Sequence, residues 1–129
     1  MTLAINEIRI RFIPQSEQRY DTCGDWQIKD GELIIFVTSM SDDRHQQLVA
    51  VHELVEALTC TADGVSQEAV DEFDIGAGAD LDEPGNHPAA PYHRQHLTAT
   101  VIEMLLAAAL GVDWTAYDAA VGDRGVKEP

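Results

Sequence analysis

The sequence predicts a single α+β domain over residues 1–129: a small, mainly antiparallel sheet made by N-terminal strands, packed against two long helices and one short helix. Three observations carry that expectation. Alternating and β-branched patterns lie before Ser41, and the helix-length apolar stretches lie after it. The length of 129 residues and the 45% hydrophobic content suit one core, because a chain of this size seldom divides.

In the first strand, Ile5, Ile8, Ile10 and Phe12 are interleaved with Arg9 and Arg11, the period of a strand with one buried face. Residues 15–24 are polar and read as a loop. Asp30-Gly31 separates two β-prone runs, 26–29 and 32–38, and predicts a hairpin because both residues tolerate positive φ. Leu33-Ile34-Ile35-Phe36-Val37 is apolar on both faces and reads as the central strand. Ser41-Asp42-Asp43 offers caps to a helix that ends near Cys60, before Asp63-Gly64. Ser66 caps a shorter helix to Ile75, which Gly76 and Gly78 stop. Residues 76–91 form a long Gly-, Pro- and Asp-rich loop, of a length that in small domains is commonly functional. The last long helix spans about 92–110 and is ended by Gly111. A short turn at 114–121 and a mobile tail from about 122 complete the chain.

The formal charge is −15, from 23 acidic and 8 basic residues. A surface of that sign repels nucleic-acid phosphates unless its basic groups cluster, and Arg9, Arg11, Arg19, Lys29, Arg44, Arg94, Arg124 and Lys127 are dispersed. Direct nucleic-acid binding is therefore not expected. The apolar run 97–110 is broken by Glu103 and too short to span a bilayer, so no membrane partner is expected. Cys23 and Cys60 form no CxxC motif and no signal peptide is evident, so the expected location is cytoplasmic. GxSxG, Walker A and GxGxxG are all missing, which leaves nucleophilic serine or cysteine catalysis without a sequence basis. Cys60 reads as a buried thiol rather than a nucleophile.

The chemistry falls on the two long helices. At about 100° per residue, Glu56 and His45 lie within about 40° of His52, and Glu53 lies beside them at about 100°. Apolar residues fill most of the remaining circumference, so the His/Glu seam is narrow. A His and a second ligand four residues apart reach one metal ion, and the Glu that follows the first His points toward a water on that metal. On the last helix, Thr100, Glu103 and His93 lie within about 60° of His96, again on a seam in an apolar helix. Buried imidazoles and carboxylates need partners, and facing seams supply them, through a shared metal or a hydrogen-bonded network. His96 is the favoured third ligand. Asp74, His93 and Glu103 are further candidates as ligands or as groups behind them, with Asp74 ranked above Asp71. Leu81–Pro88 is a candidate lid, and His87 reads as a loop residue.

The stretch from Gly31 to Glu56, with its strand, capped turn and His52-Glu53-Leu54-Val55-Glu56, resembles the strand and active helix of compact zincin-like metallopeptidases. That resemblance covers about thirty residues and departs from the group at Glu56, where the motif has His. It implies His52 and Glu56 as ligands, a third from farther along, Glu53 as the base, zinc or another divalent metal, and a peptide or small-molecule substrate. Along nearly its whole length the chain is also similar to small phage and prophage proteins with HELxEA, VDxFD, EPG and APYHxxH, here at 52–57, 70–74, 83–85 and 90–96. That second likeness implies a host-cell cytoplasmic setting and no particular activity.

Two other readings fit parts of the pattern. Glu53-x-x-Glu56 followed by Glu68-x-x-Asp71 resembles the carboxylate pairs of MazG-like nucleotide pyrophosphohydrolases, which would imply Mg²⁺ and a polyphosphate substrate. The strand-rich N-terminal third does not suit that all-helical fold. An acidic phage-like protein can also act without catalysis by binding a host protein. Such a decoy needs its carboxylates in exposed rows, whereas several here sit within apolar helices.

Overall fold

The computed structural model describes residues 5–124. Three strands, β1 (Glu7–Ile13), β2 (Gly24–Lys29) and β3 (Glu32–Thr38), precede four helices, α1 (Asp43–Ala62), α2 (Gln67–Ile75), α3 (His93–Leu110) and α4 (Trp114–Gly122). The class is the α+β one expected, with one helix more. The segment 114–121, expected as a short turn, is a nine-residue helix capped by the Asp113 side chain on the Ala116 N–H. Of the expected tail, residues 125–129 lie outside the described residues.

The sheet order is β1-β3-β2. Asp30 and Gly31 take φ of 53° and 80°, so the β2–β3 hairpin closes as its Asp-Gly turn requires. The sheet is mixed rather than mainly antiparallel: β2 pairs antiparallel with β3, and β1 pairs parallel with it. The hairpin occupies one edge of β3. Residues 14–23 then cross between β1 and β2, which leaves β1 the other edge in the same direction as β3.

The core is built on β3, where Leu33, Ile35 and Val37 are fully buried, together with Leu48 of α1. Helix α1 packs across β2 and β3, and α3 packs on α1. Ile8, Ile10 and Phe12 share a face with Leu33, Ile35 and Val37, because aligned residues of paired strands point the same way. They are nevertheless 47%, 42% and 44% exposed. The one-sided burial expected of β1 is not realised because the helical layer lies over the other two strands.

Although α3 is apolar around most of its circumference, it is buried on one side only: His96, Ala99, Glu103 and Ala107 are buried, whereas Leu97, Val101, Met104 and Leu105 are exposed. Its polar seam is what packs against α1, and its apolar side faces outward. No helix among the described residues is long and apolar enough to cross a membrane.

Candidate metal centre

Two helical spacings and one interface assemble the site. Helix α1 is capped by Asp42, whose carboxylate accepts the Arg44 N–H, and runs unbroken from Asp43 through His52, Glu53 and Glu56. The four-residue spacing stacks His52 and Glu56 on one face. Helix α3 brings His96 and Glu103 to the same place from the other side, so the two seams face each other.

Three atoms converge there. His52 Nε2 lies 3.3 Å from Glu56 Oε2 and 3.2 Å from His96 Nδ1. His96 Nδ1 lies 3.1 Å from Glu56 Oε2. Ligand atoms on a tetrahedral zinc at ordinary bond lengths are separated by about 3.3 Å, so the triangle has the dimensions of one face of such a polyhedron. Among the described residues these three form the one group of His, Cys, Asp or Glu side chains compact enough to share an ion.

The donor set fits a cation as well as the distances do. Glu103 Oε1 is 2.6 Å from His52 Nδ1. A carboxylate only accepts, so His52 Nδ1 carries a proton, and in the neutral imidazole the lone pair that a cation would take is then on Nε2, the nitrogen that faces Glu56 and His96. Tyr117 donates its hydroxyl to the second oxygen of Glu103. Trp26 Nε1–H donates to Glu56 Oε1 at 3.2 Å, leaving Oε2 to face the histidines. Hydrogen bonds of this kind would orient the imidazoles and the carboxylate toward a shared cation.

The charges respond to one another. Burial works against a charged His52, but its bonds to Glu103 and Glu56 outweigh that and raise it well above the usual histidine range. Burial would also raise Glu56, yet the bonds from His52 and His96 hold its carboxyl below the ordinary value. Glu53 goes the other way: burial, then the adjacent Glu56 charge, push it well upward. It lies 4.0 Å from His52 Nε2 and faces the cavity.

That cavity has a volume of about 320 Å³ and is lined by the three converging residues, Glu53, Tyr20, Asp74, Tyr92, Trp114 of α4 and Arg124 just beyond α4. Residues 81–86 of the long loop border it. Backbone shape matters at two points. A Cβ at Gly85 would lie 2.4 Å from the His96 ring, and one at Gly24 would lie 2.7 Å from Glu53 Cγ. The absent side chains allow the loop to press on His96 and β2 to press on Glu53.

His52, Glu53, Glu56, His96 and Glu103 therefore come together, Glu103 behind His52. Asp74 and His93 do not join the triangle. Asp74 lines the cavity while accepting hydroxyls from Tyr20 at 2.9 Å and from Tyr92. Burial raises its carboxyl to about 6. His93 donates Nδ1–H to the Gly85 carbonyl at 2.8 Å, tying the loop to the start of α3. His87 is a loop residue as expected, its Nδ1 accepting the Ala89 N–H. Cys60 is fully buried, and burial pushes its thiol up to about 12. Asp71, needed for a four-carboxylate magnesium site, is held by both Arg19 NH groups at 3.0 Å.

Trp26, Tyr117, Tyr20, Tyr92 and Gly85 escape sequence reasoning. Each reaches the site from a different element, and no spacing within one helix signals them.

No family model, curated protein or solved structure matches the chain. The reading of the site therefore rests on its own geometry.

Proposed function

We propose that the protein is a zincin-like, divalent-metal-binding hydrolase whose metal, zinc by donor type, is held by His52, Glu56 and His96. One observation carries this reading: three donor atoms from two helices, 3.1–3.3 Å apart, at the floor of a cavity. Two imidazole nitrogens and one carboxylate oxygen are the mixed set that zinc accepts, whereas magnesium prefers oxygens throughout.

A bound zinc ion would supply Lewis acidity toward a carbonyl group and its attacking water. The chain supplies the rest. Glu53, which lines the cavity beside His52, would take the water's proton and return it to the leaving group. Glu103 holds His52 in the tautomer that ligates. The loop 81–86 limits access of bulk water, and a cavity of about 320 Å³ accommodates a short peptide segment or a small molecule.

The test is a mass-spectrometric screen of a peptide library against the zinc-loaded protein, with Glu53→Gln as control. Cleavage by the wild type and a loss of about a hundredfold or more in Glu53→Gln at unchanged metal content support the reading. Equal cleavage by both excludes Glu53 as the base, and no cleavage by either excludes peptides as substrates.

A further inference from the structure

Glu56 stands where a second histidine would present a single ligand atom, and a carboxylate has two. Which of its oxygens face the histidines therefore sets the coordination number. Oε2 lies 3.3 Å from His52 Nε2 and 3.1 Å from His96 Nδ1. Oε1 instead accepts the indole N–H of Trp26 at 3.2 Å. Trp26 is 4% exposed and Glu56 is 5% exposed, so water cannot replace either partner. Turning the carboxylate to present both oxygens would leave a buried indole N–H without an acceptor, which proteins rarely tolerate. Trp26 is itself fixed by its place on β2, opposite Ile35 of the central strand.

We propose that Trp26 is a positioning residue that restricts Glu56 to one ligating oxygen, so that a Glu-bearing motif builds a four-coordinate zinc-type site with one position open to substrate. The proposal rests on the metal reading above and deepens it. A carboxylate bound through both oxygens raises the coordination number and favours larger, harder ions such as Ca²⁺. A carboxylate bound through one oxygen, beside two imidazoles, reproduces the three-ligand arrangement of catalytic zinc sites. Trp26 thereby compensates for the Glu in the place of His.

The experiment compares the full-length wild type with Trp26→Phe, which keeps the aromatic bulk and removes the donor. Both are loaded with Co²⁺ for visible absorption, and Zn²⁺ affinity is measured by chelator competition, with Ca²⁺ as competitor. The wild type should show the intense absorption of four-coordinate cobalt. Trp26→Phe should show a weaker, higher-coordinate spectrum, a zinc affinity lower by about tenfold to a hundredfold, and more effective Ca²⁺ competition. A role confined to packing would lower thermal stability and leave the spectrum unchanged, so identical spectra and affinities overturn the proposal. A wild type that takes up neither Co²⁺ nor Zn²⁺ fails the metal reading itself, which is a separate outcome. If Trp26→Phe does not fold, hydrogen exchange of the Trp26 indole N–H in the wild type decides, with its resonance assigned by Trp114→Phe. Protection with and without Zn²⁺ supports the proposal, and loss of protection on Zn²⁺ addition overturns it.

Discussion

Glu103 and His52 are joined across the α1–α3 interface by a bond of 2.6 Å from imidazole Nδ1 to carboxylate Oε1. Tyr117 donates to the other oxygen of Glu103, so the carboxylate is held from both sides and its aim at His52 does not depend on solvent. The consequence lies at the far end of the ring, where Nε2 meets Glu56 and His96. On the metal reading proposed above, a group one layer behind the site would thus select the atom that ligates.

Replacing Glu103 with Gln removes the charge that favours the Nδ1–H tautomer while keeping the shape. Zinc affinity should fall by about tenfold to a hundredfold, measured by competition with a chromophoric chelator. Tyr117→Phe should act in the same direction and less strongly, because Glu103 keeps its bond to His52. Unchanged affinity in Glu103→Gln would remove it from the site.

Gly85→Ala should weaken metal binding without unfolding the chain. The added methyl would meet His96 Cγ and Nδ1 at 2.4 Å, and either the loop or the imidazole must move. Far-UV circular dichroism should match wild type, while zinc affinity falls. Gly24→Ala directs the same kind of clash at Glu53 Cγ, 2.7 Å away, and should impair hydrolysis more than metal content. A Gly85→Ala protein that binds zinc like wild type would show that the loop yields first.

Much of this site is written in the sequence because helical spacing is local. His52, Glu53 and Glu56 fall on adjacent faces of one helix, His96 and Glu103 on one face of another, and buried polar groups need partners. Trp26 is 30 residues from Glu56, and Tyr117 is 14 residues from Glu103 in a different helix; no periodicity encodes such pairs. The hairpin is legible through Asp30-Gly31, whereas the direction of β1 is not, since alternation reads the same in parallel and antiparallel pairs. The exposure of Ile8, Ile10 and Phe12 depends on how far the helical layer extends, and a strand carries no record of that.

Asp74 should titrate well above an ordinary aspartate. Its carboxyl is raised from 3.8 to about 6 by burial, against the opposing bonds from Tyr92 and Tyr20. A raised folded-state value means that the native chain holds the proton more tightly than the unfolded chain. That stabilisation is fully present below about pH 3.8 and is lost as pH rises through about 6. The metal-free wild type should therefore lose about 2 kcal/mol relative to Asp74→Asn across that window, allowing for partial solvation. Denaturant melts of both proteins at a series of pH values check this. Parallel curves would show that Asp74 titrates normally.

The central strand should carry the largest share of core stability. Ile35 is fully buried between its neighbours on β1 and β2 and beneath α1. Ile35→Ala should cost about 2–5 kcal/mol. Ile10→Ala on the exposed edge, at 42% exposure, should cost under about 1 kcal/mol. Chemical denaturation distinguishes them, and equal losses would mean that the uncovered face of β1 is buried in solution.

Metal content of the purified chain tests the account most directly. Plasma mass spectrometry after exposure to Zn²⁺ and desalting should find about one zinc per wild-type chain, and far less in His52→Ala and His96→Ala, since loss of one of three protein ligands opens the site. Equal zinc in all three proteins, or none in the wild type, would contradict a shared centre and leave the facing seams as a hydrogen-bonded His/Glu interface.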